Sequence, residues 1–189
     1  MALPSTRMDF RVELSHVDRG REASERVVVA RHPSESAEHV ILRVLAYCLF
    51  HEDGLTFGPG LADAEGADLW TRDPAGRITT WIECGTASFD KLKKVVQHHA
   101  GVTVHALFSD LRRRDELLLA ARAPTARAGK VADAISVWAV DPRLVAALAE
   151  KEARSRTWAV TIVGDHVYVE SDGATLDGEL QRSRLVDAG

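Results

Sequence analysis

The sequence predicts an α/β fold, a mixed β-sheet flanked by helices, with an N-terminal hairpin in front and further strands at the C-terminus. Three observations carry this. Residues 7–17, R-M-D-F-R-V-E-L-S-H-V, alternate with Met8, Phe10, Val12 and Leu14 in step, the period of a half-buried strand. From Pro33 the apolar period becomes helical. Beyond that, strand-like and helix-like stretches follow one another along the chain.

Taken in order, the D-R-G-R-E turn leads from the first strand into E-R-V-V-V-A-R, so the chain starts as a hairpin. Pro33 suits a first helical turn, and Ser34, Glu35 and Glu38 fall near the positive helix end. Ala37, Ile41, Val44, Leu45 and Cys48 then recur at helical spacing, which gives a helix over roughly 33–51. Glu38 lies at the margin of that stripe and Glu35 further round. Gly54, Gly58, Pro59 and Gly60 mark a loop system. The runs A-D-L-W-T-R and R-I-T-T-W-I-E-C-G flank D-P-A-G, whose proline and glycine fit a type I turn and a hairpin.

Ser88-Phe89-Asp90 starts a helix to about His99, with Leu92, Val95, Val96 and His99 as its apolar stripe. Residues 102–108 read as a strand, 109–121 as a helix and 123–130 as a loop. Residues 134–140 are a strong strand, Asp141 and Pro142 open a short helix, and 157–170 form a hairpin turning at Gly164-Asp165.

A chain of 189 residues reads as a single domain, 1–189, that buries about 70% of its unfolded surface. The loop near 123–131 is the one candidate boundary. A net charge of −4 argues against a surface for indiscriminate nucleic-acid binding, without excluding a local basic groove. The start, M-A-L-P-S-T-R-M-D-F, has no apolar signal region, and the longest apolar run, Val40 to Phe50, is short and broken by Arg43. Cys48 and Cys84 read as reduced, buried thiols. The expectation is a cytoplasmic protein with no membrane partner. Neither a nucleotide-binding glycine loop nor a nucleophile elbow is present, and the eight histidines form no ligand set.

The D-P-A-G turn permits a register argument. If Asp73 pairs with Gly76, Asp68 falls opposite Trp81, so Asp68, Trp81 and Glu83 project from one face while Ile82 and Cys84 project from the other. Asp68 and Glu83 become diagonal neighbours, roughly 7–8 Å apart. Such a pair repels unless it is protonated, separated by water or neutralised by a cation. Hard oxygens with open water positions suit Mg²⁺ or Mn²⁺. Gly85, next on that face, leaves room for a lysine from the helix that follows.

The run A-R-H-P-S-E-S-A-E with R-V-L-A-Y, then W-I-E-C-G and K-L-K-K, closely resembles the YaeQ family of bacterial proteins, and S-V-W at 136–138 extends the similarity. That family is similar to the PD-(D/E)XK superfamily. The resemblance implies a restriction-endonuclease-like αβββαβ core whose metal site takes a helix glutamate, a strand aspartate and a strand glutamate. Carried over, these are Glu38 (or Glu35), Asp68 and Glu83, with Asp68 and Glu83 as the metal pair. Ala67 stands where the superfamily motif has proline, and Gly85 where it has lysine, so a catalytic lysine must come from elsewhere. The family's lysine pair falls on Lys93 and Lys94, and its preceding basic position on Lys91. On the helical wheel Lys93 and Lys91 flank the apolar stripe and Lys94 points furthest from it, which makes Lys93 the better candidate, with Lys91 as the alternative.

Two functions follow as expectations. One is a Mg²⁺- or Mn²⁺-dependent phosphodiester hydrolase, nuclease-like, acting on DNA or RNA through Glu38, Asp68, Glu83 and Lys93 or Lys91. The other is an inactive relative that binds nucleic acid or a protein partner, favoured by the missing proline, the displaced lysine and the acidic charge. Each residue also has a plain structural role available: a salt bridge for the carboxylates, a helix N-terminus for Glu38, and a solvated helix start for the lysines.

Overall fold

The computed structural model describes residues 5–59, 66–151 and 153–185. The alternating N-terminal segment forms β1 (Thr6–His16), with Met8, Phe10, Val12 and Leu14 buried. It pairs antiparallel along its full length with β2 (Arg21–Arg31). A short 3₁₀ turn at Val17–Arg19 joins them and ends on Gly20 in the left-handed region.

Helix α1 (Ala37–Leu49) begins four residues later than the sequence suggests. Ser36 Oγ accepts from His39 N and caps it, while Pro33 and Ser34 occupy a preceding turn. Glu35 therefore stands just outside the helix. Every residue from Val40 to Phe50 is buried, so α1 is covered on all sides.

The next elements are β3 (Thr56–Phe57), β4 (Leu69–Arg72), β5 (Ile78–Cys84), α2 (Phe89–His98) and β6 (Thr103–Phe108). The two-residue β3 falls inside the stretch that reads as a loop; Gly60 lies outside the described residues. β3, β4 and β5 form an antiparallel meander, and α2 carries the chain over to β6, parallel to β5. A second crossover, α3 (Leu111–Arg122), leads to β7 (Ile135–Val140), again parallel. Then come α4 (Pro142–Ala149), β8 (Ser155–Val163), β9 (His166–Ser171) and β10 (Ala174–Ser183). In α3 the arginines pair with Asp110 and Asp115, through Arg113 and Arg114, rather than through Arg112.

All ten strands belong to one mixed sheet, in the order β2-β1-β8-β9-β10-β7-β6-β5-β4-β3, large and nearly closed like a barrel. α1 and α4 pack with one face of it around Phe10, Leu69, Ile82 and Trp158. α2 and α3 cover a second core around Trp81, Leu92, Val104 and Phe108. Strand β10 joins the two halves, pairing with β9 on one side and β7 on the other. It has no apolar alternation, because only Gly178 and Leu180 along it are buried. Gly178 is needed there: a Cβ would stand 3.0 Å from the Cβ atoms of both Asp141 and Leu144 at the start of α4.

The β4–β5 hairpin corrects the register. Asp73 N donates to Arg77 O, not to Gly76, and Gly76 takes the left-handed conformation that ends the turn. A second one-residue shift leaves Thr79 bulged between the Thr71–Thr80 and Arg72–Ile78 pairs. Trp81 thus faces Trp70 instead of Asp68. Trp81 and Glu83, two residues apart on β5, share the face towards α2 whatever the register, but Asp68 does not join them there: its carboxyl turns to His39 and Arg43 of α1.

Candidate functional site

Glu35, His39 and Arg43 recur every four residues and form one polar stripe leading into α1. Glu35 is only 2% exposed. Its Oε2 accepts from His32 N at 3.0 Å, and its Oε1 lies 2.9 Å from His39 Nδ1 and 3.4 Å from Arg43 Nη1. Arg43 is fully buried and also donates to the carbonyls of Gly58 and Ala30. Its Nε lies 3.4 Å from Asp68 Oδ1. His39 Nε2 lies 3.1 Å from the Cys84 carbonyl and 3.8 Å from Asp68 Oδ1.

Asp68 stands one residue before β4, where its own N–H donates to Ile82 O. Its Oδ2 accepts from Cys84 N at 2.8 Å, which holds the carboxylate across the end of β5 towards α1. Glu83, on the opposite face of β5 from Cys84, meets α2. Its Oε1 accepts from Trp81 Nε1 and from Lys91 Nζ, each at 2.7 Å. Lys91 also donates to Gly66 O, and its ammonium lies 6.0 Å from the Trp81 ring centroid. Ser88 caps α2 by accepting from Lys91 N, so Lys91 occupies its first turn. A cation there opposes the helix dipole; its contact with Glu83 offsets that cost.

Burial pushes Glu35 up, but the hydrogen bond from His39, the Arg43 charge and the His32 N–H outweigh it, leaving the carboxyl below its ordinary value. Asp68 and Glu83 go the other way. Burial raises Asp68 despite the Cys84 N–H and Arg43, and raises Glu83 despite Lys91 and Trp81, with the Asp68 charge adding to the rise. Three carboxylates thus face two permanent cations, Arg43 and Lys91. The His39 ring sits among them, its Nδ1 against Glu35 and its Nε2 against the Cys84 carbonyl.

The structure places the expected residues unequally. Glu83 and Lys91 meet at the end of β5, and Asp68, just before the start of β4, is near enough for its charge to act on Glu83 and for Lys91 to act on it. Glu38 does not join them: it is exposed in the first turn of α1, at the rim of a groove with Gly85 and Arg113. Glu35, the alternative, reaches Asp68 through Arg43 and His39. Lys93 is also elsewhere, its Nζ donating to Ala126 O at 2.5 Å. Two residues along a helix turn a side chain by about 200°, so Lys91 and Lys93 cannot reach one point. Gly85 does not make room for the lysine either. Its φ is +76°, and a Cβ there would meet Leu42 and His39 of α1 at 3.5 and 3.8 Å, away from Lys91. The missed partners are His39 and Arg43. Arg43 had a visible signal, a charge interrupting the apolar run Val40–Phe50; His39 had none, because its role depends on where β5 ends.

No group of three His, Cys, Asp or Glu side chains among the described residues is placed to hold a metal ion. Mg²⁺ needs fewer, since it keeps several waters and commonly takes one or two carboxylates plus substrate phosphate. Asp68 Oδ1 has only long contacts, and Glu83 Oε2 accepts no hydrogen bond among the described residues. Two hard oxygens thus remain open on carboxyls that burial pushes up.

Comparison with known proteins gives the family of the chain. A family model described as YaeQ protein matches residues 1–180. The chain is 28% identical over 180 residues to the uncharacterised YaeQ proteins of Escherichia coli K12 and Salmonella typhi, covering 95% of this chain and 96% of each relative. The crystal structure of YaeQ protein from Pseudomonas syringae superposes with a TM-score of 0.81 at 29% identity, over 96% of this chain and 97% of that one. That of the Xanthomonas axonopodis pv. citri protein gives 0.84 at 24% identity, over 95% and 98%, a likeness of fold.

Proposed function

The chain belongs to the YaeQ family, and from that premise we propose that it is a nuclease-like, Mg²⁺- or Mn²⁺-dependent phosphodiester hydrolase on a restriction-endonuclease-like core. The observation that carries this reading is the 2.7 Å contact between Lys91 and Glu83, beside Asp68. It supplies the aspartate, glutamate and lysine of a PD-(D/E)XK site, with the lysine drawn from α2 in place of Gly85. The succession α1-β3-β4-β5-α2-β6, with β5 parallel to β6, supports the same reading.

Asp68 and Glu83 are the residues that would hold the metal. When bound, it neutralises charge at the phosphate and lowers the pKa of a nearby water. Trp81 fixes the Glu83 carboxylate through its indole N–H, and the Cys84 N–H fixes Asp68. Arg43 and His39 restrain Asp68 from the α1 side, with Glu35 as their counter-charge. The Lys91 ammonium would donate to the attacking water or to a phosphate oxygen and stabilise the developing negative charge. Lys93 takes no part.

The test is cleavage of labelled single- and double-stranded DNA and RNA at millimolar Mg²⁺ or Mn²⁺. Glu83→Gln and Lys91→Met are expected to lose about 10²- to 10³-fold in rate, with Lys93→Met unchanged. No cleavage by the native protein, or equal cleavage by Glu83→Gln, contradicts the reading. A second reading, a non-hydrolytic module that binds nucleic acid or protein, is favoured by one observation: Asp68 and Glu83 are only 8% and 4% exposed behind their internal cations. Binding of nucleic acid without turnover at any metal concentration would support it.

A further inference from the structure

The far end of α1 carries a second set of polar groups that the proposed hydrolase does not use. A cavity of about 480 Å³ opens there between the end of α1, β1 and the strands β6, β7 and β10. Its body is apolar, formed by Leu49, Phe50, Ile162, Leu180 and the Trp138 ring. It adjoins a larger cleft that shares His105, Ser136 and Arg182. A volume of several hundred Å³, mostly apolar with a few placed polar groups, is the character of a small-molecule site.

The polar groups are unusual for a plain core. His16 lines the cavity at 8% exposure, and its Nδ1 is buried with no hydrogen-bond partner. A buried, unpaired polar nitrogen costs about 1–3 kcal/mol, so in a native fold it points to a missing partner. Ser136 Oγ accepts from Trp138 Nε1 at 2.9 Å and lies 2.5 Å from His105 Nδ1, which ties that ring nitrogen to the hydroxyl. The His105 ring stacks on Phe50 at 4.2 Å. Arg182 is exposed, lies over the Trp138 ring at 5.3 Å, and makes no ion pair or hydrogen bond among the described residues. Arg19 donates to the Leu49 carbonyl. The one acid in the lining, Asp18, accepts from Gly164 N.

We propose that this cavity binds a small organic anion with a flat, apolar body, an aromatic carboxylate or an aromatic phosphate ester. The ring lies among Leu49, Phe50 and Trp138, the anionic group meets Arg182 and Arg19, and the His16 ring packs beside it. Arg19, Arg182 and Asp18 leave one net positive charge in the lining, which selects for an anion. A Ser–His hydrolase is the competing reading of Ser136 and His105. It fails because burial holds His105 at about 4, too weak a base to activate a hydroxyl.

The experiment uses the full chain, with isotope-labelled imidazole and indole nitrogens followed by NMR. The probes are indole-3-acetate, phenyl phosphate and the neutral indole-3-acetamide. At least one anionic probe is expected to shift His16, His105 and Trp138 together and saturably at millimolar concentration, with the amide about tenfold weaker. The stronger anion tells carboxylate from phosphate. Arg182→Gln, on the surface and harmless to the core, is expected to weaken binding about tenfold, as is His16→Leu. Absence of shifts with both anions, equal binding of the amide, or unchanged binding in both variants overturns the proposal and leaves a cavity that holds water only.

Discussion

The two ends of α1 treat buried polar groups in opposite ways. At the N-terminal end, Glu35, Asp68 and Glu83 are held by Arg43, His39 and Lys91, each carboxylate with a cation inside the protein. At the C-terminal end, His16 keeps an unpaired nitrogen, and Arg182 has only the face of Trp138. At the first end Asp68 Oδ1 and Glu83 Oε2 have no close partner among the described residues, but a cation there would compete with Arg43 and Lys91 for the same carboxylates. The second can take a ligand without breaking any contact described above. Burial alone therefore does not mark a site; what matters is whether the buried groups already satisfy one another.

The sharpest way to break this contrast is Arg43→Leu. It removes a fully buried cation from between Glu35 and Asp68, and breaking a buried pair on one side costs about 3–5 kcal/mol. A fall in melting temperature of roughly 10 °C is expected. By contrast, Arg182→Gln at the other end, exposed and unpaired, should change stability by no more than about 0.5 kcal/mol. Equal shifts in the two melting curves would erase the distinction between the ends.

A smaller effect comes from pH. His105 titrates at about 4 in the fold against 6.5 for the ordinary residue. As pH falls, the unfolded chain takes up its proton first. Stability that is full above 6.5 is therefore lost between 6.5 and about 4, by at most about 3 kcal/mol. At the opposite end the carboxylates oppose one another. Glu35, lowered, loses its contribution as pH falls through its folded value, while Asp68 and Glu83, raised, favour the fold as they take up protons. His105→Gln is thus expected to flatten urea-unfolding stability across pH 6.5–4. An unchanged slope would show that burial at this end is not what sets the pH response.

Much of the scaffold is legible in the sequence. Alternation fixes β1 and β2, Ser88 caps α2 at its expected start, and Asp141 with Pro142 opens α4. The features that escape are those decided by tertiary contact. β10 is polar because only two of its residues face inward, and α1 starts at Ala37 because Ser36, not Pro33, provides the cap. The D-P-A-G turn brings Asp68 and Glu83 to one end of the hairpin, but the bulge at Thr79 displaces the pairing that predicts it. The wheel of α2 puts both Lys91 and Lys93 at the flanks of the apolar stripe and only Lys94 away from it. It does not register that Glu83 lies on the side of the first turn.

The central claim is that Asp68 and Glu83 form a two-carboxylate cation site backed by Lys91. The most direct measurement is Mn²⁺ anomalous scattering from a crystal soaked at millimolar metal. A peak between the Asp68 and Glu83 carboxylates, with Lys91 withdrawn from Glu83, is the expected result. A crystal with no peak there, and Lys91 still against Glu83, would contradict the account.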